Sequence, residues 1–283
     1  IFSPTDPRQS GGRGAGFNTA NLQFDAEKVN AYEIGFKYNG RRFNLNVAAF
    51  RQDFKDFQLN TFNGSVFLVQ NIDGCSNLVG GDGADSDASA TTGACAPSDI
   101  KPGVRSQGVE VEASMYPVRD VAVTLGYTYA DTKYRKNLVG RNTGTPLDPA
   151  LFLLPGSNLS NAPKHVVTGS FAWTPDIGSS GLSGLVYVDA RMTGDYNTGS
   201  DLFPEKRQDG FATVNARLGI RGPEERWAVE FWAQNLFNQD YQQVAFNTPF
   251  QGSNSVAHVT NFGSPSFATA NQLFSAFLAE PRT

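Results

Sequence analysis

The sequence has few of the residues on which most enzymes and metal proteins depend. It contains two histidines, two cysteines and two methionines in 283 residues, and it has no HExxH, Gly-x-Ser-x-Gly or Cys/His cluster. The Gly-rich run at 11–16 lacks the Gly-Lys-Ser/Thr of a phosphate loop. We therefore expect no enzyme activity, no catalytic residue, no metal site and no cofactor.

Charge and hydrophobicity bear on two further classes of protein. The formal net charge of −4 and the lack of a basic stripe argue against nucleic-acid binding. No apolar run approaches the length of about 18 residues that a membrane helix needs, and the mean hydropathy is −0.33. A membrane barrel stays compatible with these averages, because its strands alternate lipid-facing apolar residues with polar lumen residues.

Strict alternation of apolar and polar residues dominates the chain, and this is the period of β-strands. One hairpin alternates over 32–38 and 43–49 around Asn39-Gly40, a pair suited to a type I′ turn with positive φ at both positions. The same unit recurs over 108–129, 164–194 and 209–236. The pattern predicts about eight antiparallel strands joined as hairpins.

The connections alternate between short and long. Each hairpin turns within a few residues, whereas the segments between hairpins are long and rich in Gly, Asn, Asp, Ser and Pro; they lie at roughly 53–104, 131–163, 195–208 and from 237 onward. Long loops are uncommon in compact soluble domains, but transmembrane barrels pair tight periplasmic turns with long external loops. We predict an all-β fold, an antiparallel transmembrane β-barrel, in which 271–279 could form a short helix.

Aromatic residues cluster near the strand ends on the apolar side: Tyr32, Tyr38, Phe43, Tyr127, Tyr129, Trp173 and Trp227. Aromatic girdles at the two membrane interfaces give this distribution. A soluble β-sandwich would also alternate, but its apolar face is usually built from branched aliphatic residues packed on a second sheet. The aromatic residues favour the barrel, and the sandwich stays open as the soluble alternative.

Five short motifs occur in order along the chain: EKVNAYEIGFK at 27–37, SQGVEVE at 106–112, NAPKH at 161–165, WAQNLFNQDY at 232–241 and EPRT at 280–283. Together they resemble the late barrel strands of the TonB-dependent outer-membrane receptors. The resemblance implies that 1–283 is the C-terminal part of such a barrel, about eight strands of about 22. It also implies that the plug domain and the last strand lie outside this chain, and the start at Ile1 without a Met or signal peptide fits a processed or partial chain.

The function implied by the resemblance is active uptake of a scarce ligand across the Gram-negative outer membrane. The ligand would be an iron–siderophore complex, another chelate or an oligosaccharide. In this family external loops and the plug bind the ligand, and TonB, energised by ExbB and ExbD, pulls the plug. The expected partners are outer-membrane lipid, TonB–ExbB–ExbD through the plug region, and the small ligand, with no nucleic acid. A passive porin or another outer-membrane barrel is the alternative.

Two sets of residues are candidate sites. The polar residues expected to face the barrel lumen are Glu110, Glu112, Asp189, Arg191, Arg217 and Glu230. They would line a hydrated interior, or contact the plug or ligand. Cys75 and Cys95 flank a Gly/Asp/Ser/Ala-rich stretch. In an extracytoplasmic loop they are most simply a local disulfide, whereas in a cytosolic protein they would be two unrelated thiols.

Other residues in the predicted loops leave alternatives open. Asp82, Asp85 and Asp87 could bind calcium, but the closing Glu of an EF-hand is missing, which favours a solvated acidic loop. His165 is expected to be structural or interfacial, and His258 is either a loop residue or a haem ligand. The loop aromatics that could stack on sugars or catecholates are Phe62, Phe67, Tyr134, Phe152, Tyr196, Phe203 and Phe250.

Overall fold

A computed structural model of the chain describes residues 25–62, 67–79, 94–140, 151, 153–248 and 273–283, and nearly all of its regular structure is β-strand. In chain order the strands are β1 (Lys28–Asn39), β2 (Phe43–Lys55), β3 (Phe57–Phe62), β4 (Phe67–Cys75), β5 (Leu78–Val79), β6 (Ala94–Cys95), β7 (Ile100–Pro102), β8 (Val104–Met115), β9 (Val121–Tyr134), β10 (Leu138–Gly140), β11 (His165–Trp173), β12 (Asp176–Ile177), β13 (Leu182–Thr193), β14 (Tyr196–Asn197), β15 (Arg207–Gln208), β16 (Phe211–Arg221), β17 (Ala228–Ala233), β18 (Gln242–Asn247) and β19 (Phe274–Leu278). Single-turn 3₁₀ helices lie at Pro97–Asp99, Pro204–Lys206 and Pro223–Glu225. Within the described ranges, no helix has the length and apolar character to cross a membrane.

Eight strands form one continuous antiparallel sheet, here called the wall sheet, in the order β1-β2-β8-β9-β11-β13-β16-β17, with the short β12 paired to β13. The hairpins β1–β2, β8–β9, β11–β13 and β16–β17 are those that the alternation predicts. All their short turns lie at one end of the sheet, the turn end, and the long connections lie at the other, the loop end. The all-β class and the antiparallel architecture with about eight wall strands are confirmed.

The register of the wall sheet sorts its side chains into two faces, because residues paired across strands point the same way. One row is apolar or aromatic throughout: Phe36, Val47, Val111, Tyr127, Val167 and Met192. The row beside it lies on the opposite face and is largely polar: Lys37, Asn46, Glu112, Gly126, Thr168 and Arg191. The apolar face is uncovered, with Ile34 and Phe231 each 77% exposed.

Aromatic residues bound the apolar face at both ends. Near the loop end Tyr127 and Tyr129 flank His165, and the Tyr127 hydroxyl lies 3.0 Å from His165 Nδ1. At the turn end the rings of Tyr38 and Phe43 are 6.2 Å apart. In register Phe43 is level with Val123, so seven residues of β9, from Val123 to Tyr129, span the two aromatic ends. That His165 lies at a membrane interface stays a prediction.

Two local expectations are wrong. Neither Asn39 nor Gly40 has a positive φ, so the first hairpin has no type I′ turn there. Instead the Gly40 N–H donates to the Phe43 carbonyl oxygen at 2.9 Å, so the turn lies two residues further along, at Arg41 and Arg42. Gly40 is needed for space, because a Cβ would press on that oxygen and on the Tyr38 ring. Within the segment considered as a helix at 271–279, Phe274–Leu278 is a strand, β19, which pairs with β18.

The connections at the loop end are structured. β2 and β9 extend to Lys55 and Tyr134, beyond the predicted strand ends. The connection expected at 53–104 supplies β3, β4 and β7, and the connection expected at 131–163 supplies β10; together they form the sheet β10-β4-β3 with β7 paired to β4. A buried hydrophobic core lies here: Leu59, Ile72, Val104, Tyr134, Leu138, Leu151 and Leu154. We call the small sheet and this core the loop lobe. Val104 and Tyr134 of the wall sheet belong to this core, whereas the apolar face of the sheet is uncovered, so tertiary packing concentrates in the lobe.

β8 and β9 approach each other closely at Gly108, so a larger residue at this position should destabilise the fold. A Cβ on Gly108 would collide with the Tyr129 carbonyl oxygen. We predict that Gly108→Ala lowers the free energy of unfolding by about 1–3 kcal/mol through overpacking, measured by urea unfolding in lipid vesicles. Gly169→Ala is the matched control, since its Cβ would meet nothing nearer than the Thr124 carbonyl oxygen at 3.6 Å. Equal urea midpoints for the two variants would contradict the steric argument.

Candidate functional site

The six residues expected to line a lumen share the polar face of the wall sheet. Their register partners are Ala48 and Thr128 for Glu110, Asn46 and Gly126 for Glu112, Ser170 and Asn215 for Asp189, Thr168 and Thr213 for Arg191, Tyr187 and Trp232 for Arg217, and Gly219 for Glu230. The face is therefore one surface that spans six strands, β8 to β17. That it borders a lumen stays a prediction.

Hydrogen bonds and ion pairs join neighbouring strands across this face. Glu230 lies between two arginines, with Arg217 Nη1 3.5 Å from Oε2 and Arg221 Nη2 3.3 Å from Oε1. Asn215 Nδ2 donates to Asp189 Oδ2 at 2.8 Å. Half-exposed pairs of this kind contribute little to stability. Their effect is to present fixed charges of both signs on this face.

Cys75 and Cys95 form a disulfide, with their Cα atoms 6.0 Å apart. Both are buried beside Val139, with Ile100 packed against them. Closing a loop of this size stabilises a fold by roughly 3 kcal/mol in the chain-entropy model. The bond ties β4 to β6 at the edge of the loop lobe. The enclosed acidic residues Asp82, Asp85 and Asp87 lie outside the described residues.

The loop aromatics divide into buried and accessible residues. Tyr134 is 3% exposed in the lobe core and Phe203 is 8% exposed, so neither can stack on a ligand, and that expectation is wrong for both. Tyr196 is half-buried and lines a cavity. The side chains of Phe62 and Phe67 lie outside the described parts of the structure. The same holds for Phe152, Phe250, His258 and the run at 11–16.

The cavity lies at the loop end, between 153–162 and 195–207, and has a volume of about 320 Å³. Its lining combines apolar residues such as Leu153 and Leu202 with the polar residues Asn158, Asp195, Asn197 and Arg207. Arg207 Nη2 donates to Asp195 Oδ2 at 2.9 Å, which orients the guanidinium. Ligand pockets begin at about this size. The cavity fits a small ligand or one arm of a larger one.

A buried ion pair lies within the connection at 195–208, which borders the cavity. Lys206 is 1% exposed, and its Nζ donates to Asp201 Oδ2 at 2.5 Å. The ammonium also lies 5.5 Å from the ring centroid of Phe203 and 5.2 Å from that of Phe274 in β19. Burial lowers the pKa of Lys206, and the Asp201 carboxylate opposes that shift. The pair thus joins the connection at 195–208 to β19.

A pair of buried carboxyl groups lies under the loop lobe. Asp56 and Asp73 are at most 1% exposed, and the Asp56 backbone N–H donates to Asp73 Oδ1 at 2.8 Å. Asp56 Oδ1 and Asp73 Oδ2 have no hydrogen-bond partner. Burial, together with the charge of Asp56, raises the pKa of Asp73 to about 6. Asn71 Nδ2 donates to the Asp56 carbonyl oxygen at 2.6 Å, which anchors this polar centre.

Two of the sequence motifs meet in the structure. Asn235, at a positive φ of 48°, accepts the Gln239 N–H on Oδ1 at 2.8 Å and donates from Nδ2 to the Glu280 carbonyl oxygen at 3.3 Å. Thr283 and Gln234 exchange backbone hydrogen bonds of 2.9 and 3.3 Å. The asparagine is needed because its side chain bonds locally and tolerates the left-handed region. The motif therefore docks 280–283 beside β17.

Sequence reasoning did not find the buried polar groups. Asp73, Asp201 and Lys206 stand in segments predicted as loops, where charged residues are normally solvated. Their burial follows from strands far away in sequence, and no local pattern marks it. Among the described residues, no group of three or more His, Cys, Asp and Glu could hold a metal ion. What this geometry provides is surfaces and a cavity for binding.

Comparison with known proteins gives one family and several similar folds. The family model described as TonB dependent receptor-like, beta-barrel matches residues 1–236. Among solved structures, the ferric yersiniabactin uptake receptor FyuA from Yersinia pestis is 17% identical with a TM-score of 0.59, covering 92% of this chain and 29% of that chain. The siderophore receptor PiuA from Acinetobacter baumannii is 16% identical with a TM-score of 0.56, covering 94% and 28%.

A third similar structure is the ferric-catecholate import receptor Fiu from E. coli K12, 18% identical with a TM-score of 0.50, covering 95% of this chain and 28% of that chain. The chain thus spans less than a third of the length of each of these three proteins. At these identities the likeness concerns the fold. Comparison with curated protein sequences gives no match.

The raised pKa of Asp73 predicts a pH dependence of stability. The carboxyl titrates near 3.8 when unfolded and near 6 when folded, so the folded state binds more protons in that window. Stability should therefore fall as pH rises from about 4 to about 6 and then level off. Asp73→Asn should abolish this component and raise the melting temperature above pH 6. Asp209→Asn, at a side chain 93% exposed, is the control. Parallel melting curves for Asp73→Asn and wild type across pH 4–8 would refute the assignment.

The Lys206–Asp201 pair predicts a non-additive pair of substitutions. Lys206→Met leaves a buried carboxylate without its cation, which should cost about 3–5 kcal/mol of unfolding free energy. Lys206→Met with Asp201→Asn removes both charges and should recover at least half of that loss. Chemical unfolding of the two variants and wild type measures the difference. Equal losses in the single and double variants would show that packing, rather than the stranded charge, governs this site.

Proposed function

The chain belongs to the TonB-dependent receptor β-barrel family, and from that premise we propose that it forms part of the wall and external loops of an outer-membrane uptake receptor. Members of the family are transport receptors rather than enzymes, located in the Gram-negative outer membrane. The proposed role is active transport of a scarce ligand, with energy delivered by TonB–ExbB–ExbD through a plug region. The chain itself would carry out no covalent chemistry.

The observation that carries this proposal is the two-faced wall sheet. Its apolar face carries exposed side chains such as Ile34 and Phe231 and is bounded by aromatic residues, as contact with hydrocarbon requires. Its polar face carries the hydrogen-bonded charges of Asp189 and Glu230, as a hydrated lumen requires. Structured lobes occur at the loop end, and the turn end has only short turns. This asymmetry supports a receptor that meets its ligand on one side of the membrane.

For the ligand we propose a ferric chelate. The three similar structures are described as a ferric yersiniabactin receptor, a siderophore receptor and a ferric-catecholate receptor. The cavity beside Tyr196 adds support, because its aromatic ring and its polar residues, which include the Arg207–Asp195 pair, offer stacking and hydrogen bonds to an oxygen-rich ligand. An oligosaccharide would use the same hydrogen-bond donors, so the transport assay includes one.

The test is uptake of radioactive iron by cells with and without the gene, supplied as defined catecholate, phenolate and hydroxamate chelates. We expect uptake of at least one chelate to fall to background after gene deletion, and to fall equally in a TonB-deficient strain. A labelled oligosaccharide and a small antibiotic that diffuses through porins serve as controls. Uptake that needs the gene but not TonB would favour a passive porin, and uptake of the oligosaccharide alone would overturn the ferric assignment.

A further inference from the structure

The loop lobe joins the wall sheet at a point where strands diverge, here called the fork. β2 and β8 pair as far as Phe54 and Val104, and the chain runs on from β2 into β3 and enters β8 from β7. β3 and β7 follow one another along one edge of β4, since β10 pairs with the other edge. Asp73 of β4 stands where β3 gives way to β7, and Asp56 lies in the bend between β2 and β3, at a positive φ of 54°.

Two side chains of β4 hold the fork together. Asp56 belongs to neither β2 nor β3, and its backbone groups bond to side chains instead. Its N–H donates to Asp73 Oδ1 at 2.8 Å, and its carbonyl oxygen accepts from Asn71 Nδ2 at 2.6 Å. The connection between wall and lobe therefore depends at this point on the carboxyl group of Asp73.

Each carboxyl group of the Asp56–Asp73 pair has one oxygen without a hydrogen bond. Asp56 Oδ1 and Asp73 Oδ2 are buried and have no partner among the described residues. The two groups are close enough for each to act on the other. Unpaired buried oxygens are costly, and two ionised carboxylates at close range also repel each other. One proton removes both costs, because the O–H of one carboxyl group then donates to the other.

The charged residues around the pair do not neutralise it. Lys55, next to Asp56, lowers the pKa of Asp73, but its effect is smaller than that of burial and of the Asp56 charge. β10, on the other edge of β4, carries no charged residue. Four more charged residues on neighbouring segments are engaged elsewhere: Lys101 by the Ser98 carbonyl oxygen, Arg135 by the Asp53 carboxylate, Glu27 by the Gln58 backbone N–H, and Asp25, through its backbone, by the Asn71 side chain.

We propose that Asp56 and Asp73 share one proton and form a pH-dependent latch between the wall sheet and the loop lobe. In the closed latch the protonated carboxyl group donates to the ionised one, and Asp73 Oδ1 keeps the Asp56 N–H. Loss of the proton leaves two buried anions, and the latch opens so that water reaches them. β4 then separates from Asp56, while the hydrogen bonds of the wall sheet stay intact.

The pH range of the latch follows from the same surroundings. Burial, together with the charge of Asp56, raises the pKa of Asp73 from 3.8 to about 6, and the titrating proton belongs to the pair. A raised pKa stabilises the closed latch at low pH, and that stabilisation disappears as pH rises through about 6. In the receptor of the proposed function, the pH of the medium would set how firmly the lobe is held. The latch itself does not depend on that function.

Hydrogen–deuterium exchange of the full-length protein in detergent micelles, at pH 5.0 and pH 7.5 and corrected for the intrinsic exchange rate, tests the latch. Peptides that contain Asp56 and β4 report on the fork, and peptides from β11 and β13 report on the wall. A pKa of 3.8 in the open state and about 6 in the closed state makes the closed latch about tenfold less favoured at pH 7.5 than at pH 5.0. Protection at the fork should fall by this factor, and protection of the wall strands should stay constant.

Asparagine variants distinguish a shared proton from a lone buried carboxyl group. Asp56→Asn removes one charge and supplies an amide N–H to Asp73, so protection at the fork should lose its pH dependence. Asp73→Asn should do the same, because its side-chain oxygen still accepts the Asp56 N–H. The matched control is Glu27→Gln. Glu27 also accepts a backbone N–H of β3, from Gln58 at 3.0 Å, but it is exposed, so this variant should keep the wild-type response.

The pattern of protection decides between a latch and its alternatives. A tenfold change at the fork in wild type and Glu27→Gln, absent from both asparagine variants, supports the latch. Equal protection at the two pH values in wild type overturns it. So does a pH response that survives in Asp56→Asn, since Asp73 would then titrate alone. A parallel fall in β11 and β13 would show that the fold loosens as a whole, which also overturns a local latch. Iron uptake plays no part in these measurements, so either result leaves the proposed function untouched.

Discussion

A strand that crosses hydrocarbon has to pair every backbone N–H and C=O with another strand, because no water is available there. This constraint explains most of the structure. It requires long strands in unbroken antiparallel register, as β8 and β9 show from Val104–Tyr134 to Met115–Val123. It leaves only the side chains to choose between lipid and water. The two-faced wall, the aromatic boundaries and the placement of all irregular backbone at the ends follow from it.

The sequence predicted the wall well because a period of two is a local signal. Tyr32, Ile34 and Phe36 could be placed on one face of their strand without knowing which strands pair with it. The ends of the strands were harder to predict from the sequence. Arg51 and Asp53 in β2 and Asp131 in β9 continue the apolar face with charged residues. In a hydrophobicity pattern such residues look like part of a loop. The alternation itself continues through them, and following it past the polar residues would have extended both strands.

The polar centres of the loop end could not be read from the sequence for a different reason. Lys206 is buried because Phe274, far along the chain, closes over it. Asp73 is buried where it accepts the backbone N–H of Asp56, at the bend between β2 and β3. The loop aromatics show the same limit. Tyr134 and Phe203 were candidates for ligand contact because they are aromatic and in connections, yet packing uses them as core. Tyr196 has the same local character and borders the cavity.

Alternate residues of each wall strand face opposite sides of the sheet, and this limits how the length of a strand can change. Suppose that one residue of β8 is deleted on the N-terminal side of Val109. Val109, Glu110, Val111 and Glu112 would then exchange faces, which would place the carboxylates against acyl chains and the valines in the lumen. Charged groups near the bilayer midplane cost up to a few kcal/mol each. Length changes inside a wall strand are therefore tolerable only in steps of two residues, whereas the connections accept any number. Among such proteins, the loops should therefore differ in length by any number of residues, whereas the wall strands should differ in length by even numbers of residues.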